Sequence, residues 1–123
     1  PEFDAIRLPI PYGTVIDPKG AIAIFAQQSP SDLATAAVAR LVAEPNAPSN
    51  TPLHLSDTGY GSVPRHYIEC LNDRAITIAD QRRMQSVLPC TSVTALDTDH
   101  SPFLSAPNEL ADALTAIAEG VAG

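Results

Sequence analysis

Basic side chains are scarce in this chain of 123 residues: seven Lys and Arg stand against fourteen Asp and Glu, a formal net charge of −7. That balance argues against nucleic acid or an anionic membrane surface as partner, since either needs a basic patch. No apolar run approaches the roughly 20 residues that a membrane-crossing helix requires. The start, Pro1-Glu2-Phe3-Asp4, lacks the basic and apolar regions of a secretory signal, and a natural start further upstream would leave targeting open. The compartment therefore stays undetermined, with the cytoplasm as the default expectation. Only two cysteines are present, Cys70 and Cys90, too few for a four-ligand structural zinc site. They read as small hydrophobes on or beside two strands, with a disulfide between neighbouring strands left open. Also missing is any Gly-x-Ser-x-Gly stretch.

What is present divides near residue 60. The first half is rich in Pro and Ala, with turn signals at Pro9-Ile10-Pro11-Tyr12-Gly13 and Asp17-Pro18-Lys19-Gly20. Asp17 suits a helix cap and Pro18 a first helical position, so a helix carrying Ile22, Ile24 and Phe25 is expected there. Ser31 is expected to cap a second helix over 32–43, with Leu33, Ala36, Ala37, Arg40 and Leu41 at helical spacing and Glu44-Pro45 as its stop. Residues 44–62 read as connector.

The second half is more regular. Val63 to Cys70 contains Val, Tyr and Ile and fits a mostly buried strand. Thr77 can cap a helix from Ile78 to about Leu88, with Ala79, Met84, Val87 and Leu88 inward and Pro89 as its end. Thr91 to Leu96 fits a second strand. Pro107 opens a last helix with an apolar stripe of Leu110, Ala113, Leu114 and Ile117, and Gly120 is placed as its C-terminal cap. Strand, helix, strand, helix at this spacing implies a βαβ unit and a parallel sheet, hence an α/β fold. Two strands make a poor sheet alone, because parallel strands are usually covered on both faces and flanked by others.

Two residues stand out. Asp73 follows the first strand and His100 the second, in Asp97-Thr98-Asp99-His100-Ser101-Pro102-Phe103-Leu104. Either one alone is an ordinary turn or loop residue. An acid after one strand and a histidine after the next is, together, the late part of a Ser-Asp-His order. A metal site from Asp97, Asp99 and His100 is disfavoured, because no second histidine stands at ligand spacing; Asp97 and Asp99 read as the polar rim of a strand end. His54 and His66 read as a connector and a strand histidine, Arg82-Arg83 as a solvated helix face. Ser62 lacks both a glycine frame and a base, so it is a poor nucleophile.

The segment from Tyr60-Gly61-Ser62-Val63-Pro64-Arg65 through Leu71-Asn72-Asp73-Arg74 resembles the acid-bearing segment of the α/β-hydrolase superfamily, and most closely the methylesterase and hydroxynitrile lyase family. Gln81-Arg82-Arg83-Met84 is similar to the helix that follows, and Asp99-His100-Ser101-Pro102-Phe103-Leu104-Ser105-Ala106-Pro107 to the histidine loop. A weaker likeness over residues 17–43 resembles part of a helical lid. The resemblance implies the C-terminal half of a serine esterase: residues 1–62 as lid and connector, residues 63–123 as the portion of the core that carries the acid and the histidine. Asp73 and His100 would be two members of a Ser-His-Asp triad, with the serine and the oxyanion hole supplied by an N-terminal half outside this chain. Phe103, Leu104 and Phe25, with Ile22 and Leu33, would shape an apolar pocket for an ester substrate, and no metal or cofactor is implied. Hydroxynitrile lyases of this family place a lysine directly after the histidine; here Ser101 stands there, which favours ester hydrolysis. The alternative is a domain that keeps the framework only to bind a ligand or a partner.

Overall fold

A computed structural model describes residues 2–122. A short helix α1 (Glu2–Ala5) leads into a hairpin of β1 (Arg7–Ile10) and β2 (Gly13–Ile16). The two-residue turn at its tip holds Tyr12 at φ 65°, and Gly13 follows where a Cβ would meet the Glu44 carbonyl oxygen at 2.5 Å. The sequence signal Pro9-Ile10-Pro11-Tyr12-Gly13 predicts only a turn, whereas Pro9 and Ile10 belong to β1 and Gly13 opens β2.

Helix α2 (Pro18–Phe25) begins as the sequence indicates: the Asp17 carboxylate accepts the Lys19 N–H at 3.0 Å and Pro18 occupies the first turn. Helix α3 (Ser31–Val38) differs from expectation at both ends. Pro30 is its cap and Ser31 makes no capping bond, while the Pro30 carbonyl accepts from Ala34 N–H at 2.9 Å. The helix stops at Val38, not at Ala43, because the chain must extend to pair Glu44 and Pro45 with Thr14 and Gly13. That pairing makes a third short strand, β3 (Glu44–Pro45). The connector then holds a helical turn, α4 (Asn46–Asn50), and a 3-10 turn at Tyr60–Ser62.

The second half is the expected βαβ unit. Strands β4 (His66–Cys70) and β5 (Ser92–Leu96) pair in parallel, His66 with Ser92 through Cys70 with Leu96. β4 begins at His66, not Val63, since the Tyr60–Ser62 turn and Pro64, which has no N–H to give, occupy the lead-in. Between the strands runs α5 (Ile78–Val87), where the Thr77 hydroxyl accepts from Asp80 N–H. After β5 come a short α6 (Pro102–Ser105) and the long α7 (Pro107–Ala122). Gly120 does not cap α7: no described glycine has positive φ, and the helix runs on to Ala122.

Burial inverts the expectation for α5. Ala79, Met84, Val87 and Leu88 are exposed, Val87 at 74%, and the inward residue is the polar Gln81, at 3%. On α7, Leu110, Ala113 and Ile117 are half-buried while Leu114 is exposed. The described apolar core is small, Ile6, Ala21, Ile24, Ala26 and Ala34, and it lies where α2 and α3 meet the first hairpin. Among the described residues no helix is long and apolar enough to cross a membrane.

A candidate catalytic dyad beside an apolar cavity

Asp73 sits in the turn that leaves β4. Its Oδ1 accepts the N–H groups of Ala75 and Ile76, both at 2.8 Å, an Asx-type turn that fixes the carboxylate on its own backbone. Oδ2 is left to face the loop that leaves β5, and there it meets His100 Nδ1 at 2.8 Å. The carboxylate is 6% exposed and the imidazole 35%. A carboxylate can only accept, so Nδ1 carries the hydrogen and the neutral ring keeps its basic lone pair on Nε2. The two residues the sequence singled out, 27 positions apart, are thus brought into one hydrogen-bonded pair at the C-terminal ends of two adjacent parallel strands, the end of an open α/β sheet where ligands bind.

The acid turn is held from behind by Gln81. Its Oε1 accepts Cys70 N–H at 3.0 Å, while Nε2 donates to the carbonyls of Cys70 and Ile76, both at 2.9 Å. One buried amide therefore ties the last residue of β4 to the far side of the turn carrying Asp73. This residue was legible only as part of a helix; a buried glutamine gives no periodic signal.

His100 opens on a cavity of about 270 Å3 lined by Phe25, Ala34, Val38, Leu41, Phe103 and Leu104 together with His100 itself. The Phe25 ring lies 5.4 Å from the imidazole, centroid to centroid, tilted by 49°. Of the five residues expected to shape the pocket, Phe25, Phe103 and Leu104 line this cavity beside the histidine. Ile22 and Leu33 do not: they point to the surface, 37% and 44% exposed. On α3 the side facing the cavity carries Ala34 and Val38, and Leu33 is one residue, about 100°, out of that phase. A larger hollow of about 500 Å3 lies elsewhere, among Tyr60, Arg65, His66, Met84, Leu88 and Cys90, and contains neither member of the pair.

Asp99 corrects the reading of a polar strand rim. It is fully buried and accepts four hydrogen bonds, whereas Asp97 is exposed and accepts from Asn72 Nδ2 at 2.6 Å. No group of three or more metal-ligating side chains gathers among the described residues. The Arg82–Arg83 face is not merely solvated either: Arg82 reaches the buried Glu69 at 3.2 Å, and Arg83 reaches Asp80 at 3.2 Å. With Gln85, Arg82 holds the Glu69 carboxyl below its ordinary range against the opposing effect of burial. Cys70 and Cys90 are free thiols, each partly buried. Burial, together with the charges of Asp73 and Asp99, pushes the Cys70 thiol upward despite the opposing Thr98 hydroxyl. His66 Nδ1 is paired with Ser92 Oγ at 2.7 Å on the ladder, and His54 lies exposed in the connector.

No protein-family model matches the chain. It is similar to methylesterase 1 of Arabidopsis thaliana, 42% identical over 67 residues, which are 54% of this chain and 26% of that protein. It is similar also to a pyrethroid hydrolase of Sphingobium wenxiniae, 43% identical over 61 residues, covering 49% of this chain and 22% of that one. Among solved structures, a pyrethroid hydrolase from Sphingobium faniae matches with a TM-score of 0.78 and 25% identity, over 97% of this chain and 49% of its own. The chain spans about a quarter of the length of the curated relatives it matches and about half that of the solved ones. By sequence and by fold, the chain belongs to the methylesterase-like α/β-hydrolases and carries the C-terminal part of their fold.

Proposed function

We propose that this chain supplies the acid and the base of a serine hydrolase acting on carboxylic esters, with the nucleophilic serine outside residues 1–123. The observation that carries this reading is the 2.8 Å contact of Asp73 with His100 Nδ1, beside an apolar cavity. In that reaction His100 Nε2 takes the proton of the serine hydroxyl as it attacks the ester carbonyl. It then gives that proton to the departing alcohol, so the acyl group passes to the serine and afterwards to water. Asp73 holds the imidazole in the tautomer that makes this possible and stabilises the imidazolium between the two transfers. The cavity beside Phe25, Phe103 and Leu104 receives the apolar acyl or alcohol portion, and residues 1–62 serve as lid and connector to the core of residues 63–123. Ser101, directly after the histidine, brings no charge to hold a nitrile or cyanide, which favours hydrolysis over cyanohydrin cleavage.

The same proposal names the missing partner. Among the described residues β4 and β5 form a two-stranded sheet with an unpaired outer edge on each, and Met84, Val87 and Val93 beside them are exposed. An open parallel edge next to uncovered apolar side chains is the surface that further strands and helices of the same fold would cover.

The test is steady-state hydrolysis of a p-nitrophenyl ester by the polypeptide that joins this chain to a serine-bearing half. His100→Ala and Asp73→Asn should each lower kcat by about four orders of magnitude or more, with the fold intact by circular dichroism. Turnover within tenfold of the unmodified protein in folded His100→Ala would remove the triad assignment and leave a non-catalytic binding domain.

A further inference from the structure

We propose that Asp99 is a positioning residue for His100, which it holds by strapping the turn between α2 and α3 across both loops of the dyad; the proposal rests on the functional reading above. The Asp99 carboxylate is fully buried. Its Oδ1 accepts Ser101 N–H at 2.9 Å and Ser105 Oγ–H at 2.9 Å. Its Oδ2 accepts Gln28 N–H at 2.9 Å and Ser29 Oγ–H at 3.0 Å. Burying a carboxylate is costly unless its acceptor capacity is filled, and here four donors fill it.

The geometry gives that cost a purpose. The bond from Ser101 N–H back to Asp99 closes a turn whose central residue is His100, so the direction in which the imidazole leaves the backbone is fixed. The other two donors belong to the α2–α3 turn, which reaches the acid loop as well. Gln27 Nε2 donates to the Asn72 carbonyl at 2.6 Å, and Asn72 Nδ2 donates to Gln28 Oε1 at 3.2 Å and to Asp97 Oδ1 at 2.6 Å. Residues 27–29 are thus bonded at once to the residue before Asp73 and to the residue before His100. Phe25, two positions earlier, packs on the imidazole itself. The separation of acid and base is consequently set by a three-residue strap from the lid segment, with Asp99 as the anchor on the histidine side. A packing role alone would need neither the charge nor four donors from two separate stretches of chain.

The test uses the polypeptide that carries this chain together with its serine-bearing half. In Asp99→Asn one acceptor becomes a donor, which leaves either Gln28 N–H or Ser101 N–H without a partner. We expect kcat for a p-nitrophenyl ester to fall about 10- to 100-fold with KM within threefold, the signature of a displaced base in an otherwise intact site. The downfield proton resonance of His100 Nδ1–H, present in the unmodified protein, should broaden or vanish. Ser29→Ala removes one donor and should lower kcat about 2- to 10-fold. If Asp99→Asn does not fold, Ser29→Ala and Ser105→Ala decide. Unchanged kcat and an unchanged resonance in folded Asp99→Asn, or in both serine variants, overturn the proposal. So does a fall in kcat matched by the unfolded fraction while the resonance persists. Should the unmodified protein hydrolyse no ester, the functional reading falls and the resonance alone decides: its loss in Asp99→Asn supports the positioning role, and its persistence, or its absence from the unmodified protein, refutes it.

Discussion

Replacing Gln81 by alanine should destabilise the fold by about 2–4 kcal/mol. The side chain is 3% exposed and makes three hydrogen bonds to backbone, one from Cys70 N–H and two to the carbonyls of Cys70 and Ile76. A net contribution of about 0.5–1.5 kcal/mol for each bond gives about 1.5–4.5 kcal/mol in total. Water entering the vacated space recovers part of the upper figure, whereas the orphaned Cys70 N–H adds to the lower one. For a domain whose whole stability is about 5–15 kcal/mol, the loss is large. Urea unfolding followed by circular dichroism should show the midpoint falling by about 1–2 M at unchanged slope. Gln81→Glu is the informative companion: at neutral pH its carboxylate faces two carbonyls with no hydrogen to give, so it should be at least as unstable as the alanine variant. A loss below about 0.5 kcal/mol for Gln81→Ala would refute the view that this amide holds the acid turn.

The Glu69–Arg82 contact makes a statement about acid. Because the folded carboxyl is held below its ordinary range, its contribution is present above the unfolded value, about pH 4.3, and is lost as pH falls through the folded value. The difference in urea midpoint between the unmodified protein and Glu69→Gln should therefore be constant from pH 6 to pH 8 and shrink below about pH 4; a difference that grows on acidification contradicts this. Cys70, whose thiol is pushed upward mainly by burial, should alkylate with iodoacetamide at pH 8 far more slowly than a free cysteine in solution. Equal rates would show that the thiol is open to solvent and readily ionised.

How far these features could be read from the sequence depended on how local their causes are. Asp17-Pro18 and Thr77 fix helix starts through bonds to residues two or three positions away, and both lie where the pattern placed them. The end of α3 is decided instead by the pairing of Glu44 and Pro45 with Thr14 and Gly13, some thirty positions earlier, which no helical periodicity reports. Asp73 and His100 were legible because each follows a β-branched or aromatic run and a turn signal, and the parallel pairing of those runs does the rest. Asp99 and Gln81 were not. A buried polar residue looks like a surface one until its donors are known, and those of Asp99 come from two stretches about seventy positions apart. The apolar side of α5 was read as inward because hydrophobic spacing says only that a face wants cover; among the described residues Gln81 is the side that meets the strand.

The most direct test of the central claim is labelling with a fluorophosphonate, followed by intact mass and peptide mapping, on the polypeptide that carries this chain and on its His100→Ala variant. We expect one label per molecule on a serine outside these 123 residues, and loss of that label when His100 is removed, since the proposed mechanism makes Nε2 of His100 the base that activates the hydroxyl. No label on the folded, unmodified protein, or a label that forms equally fast without His100, would contradict it.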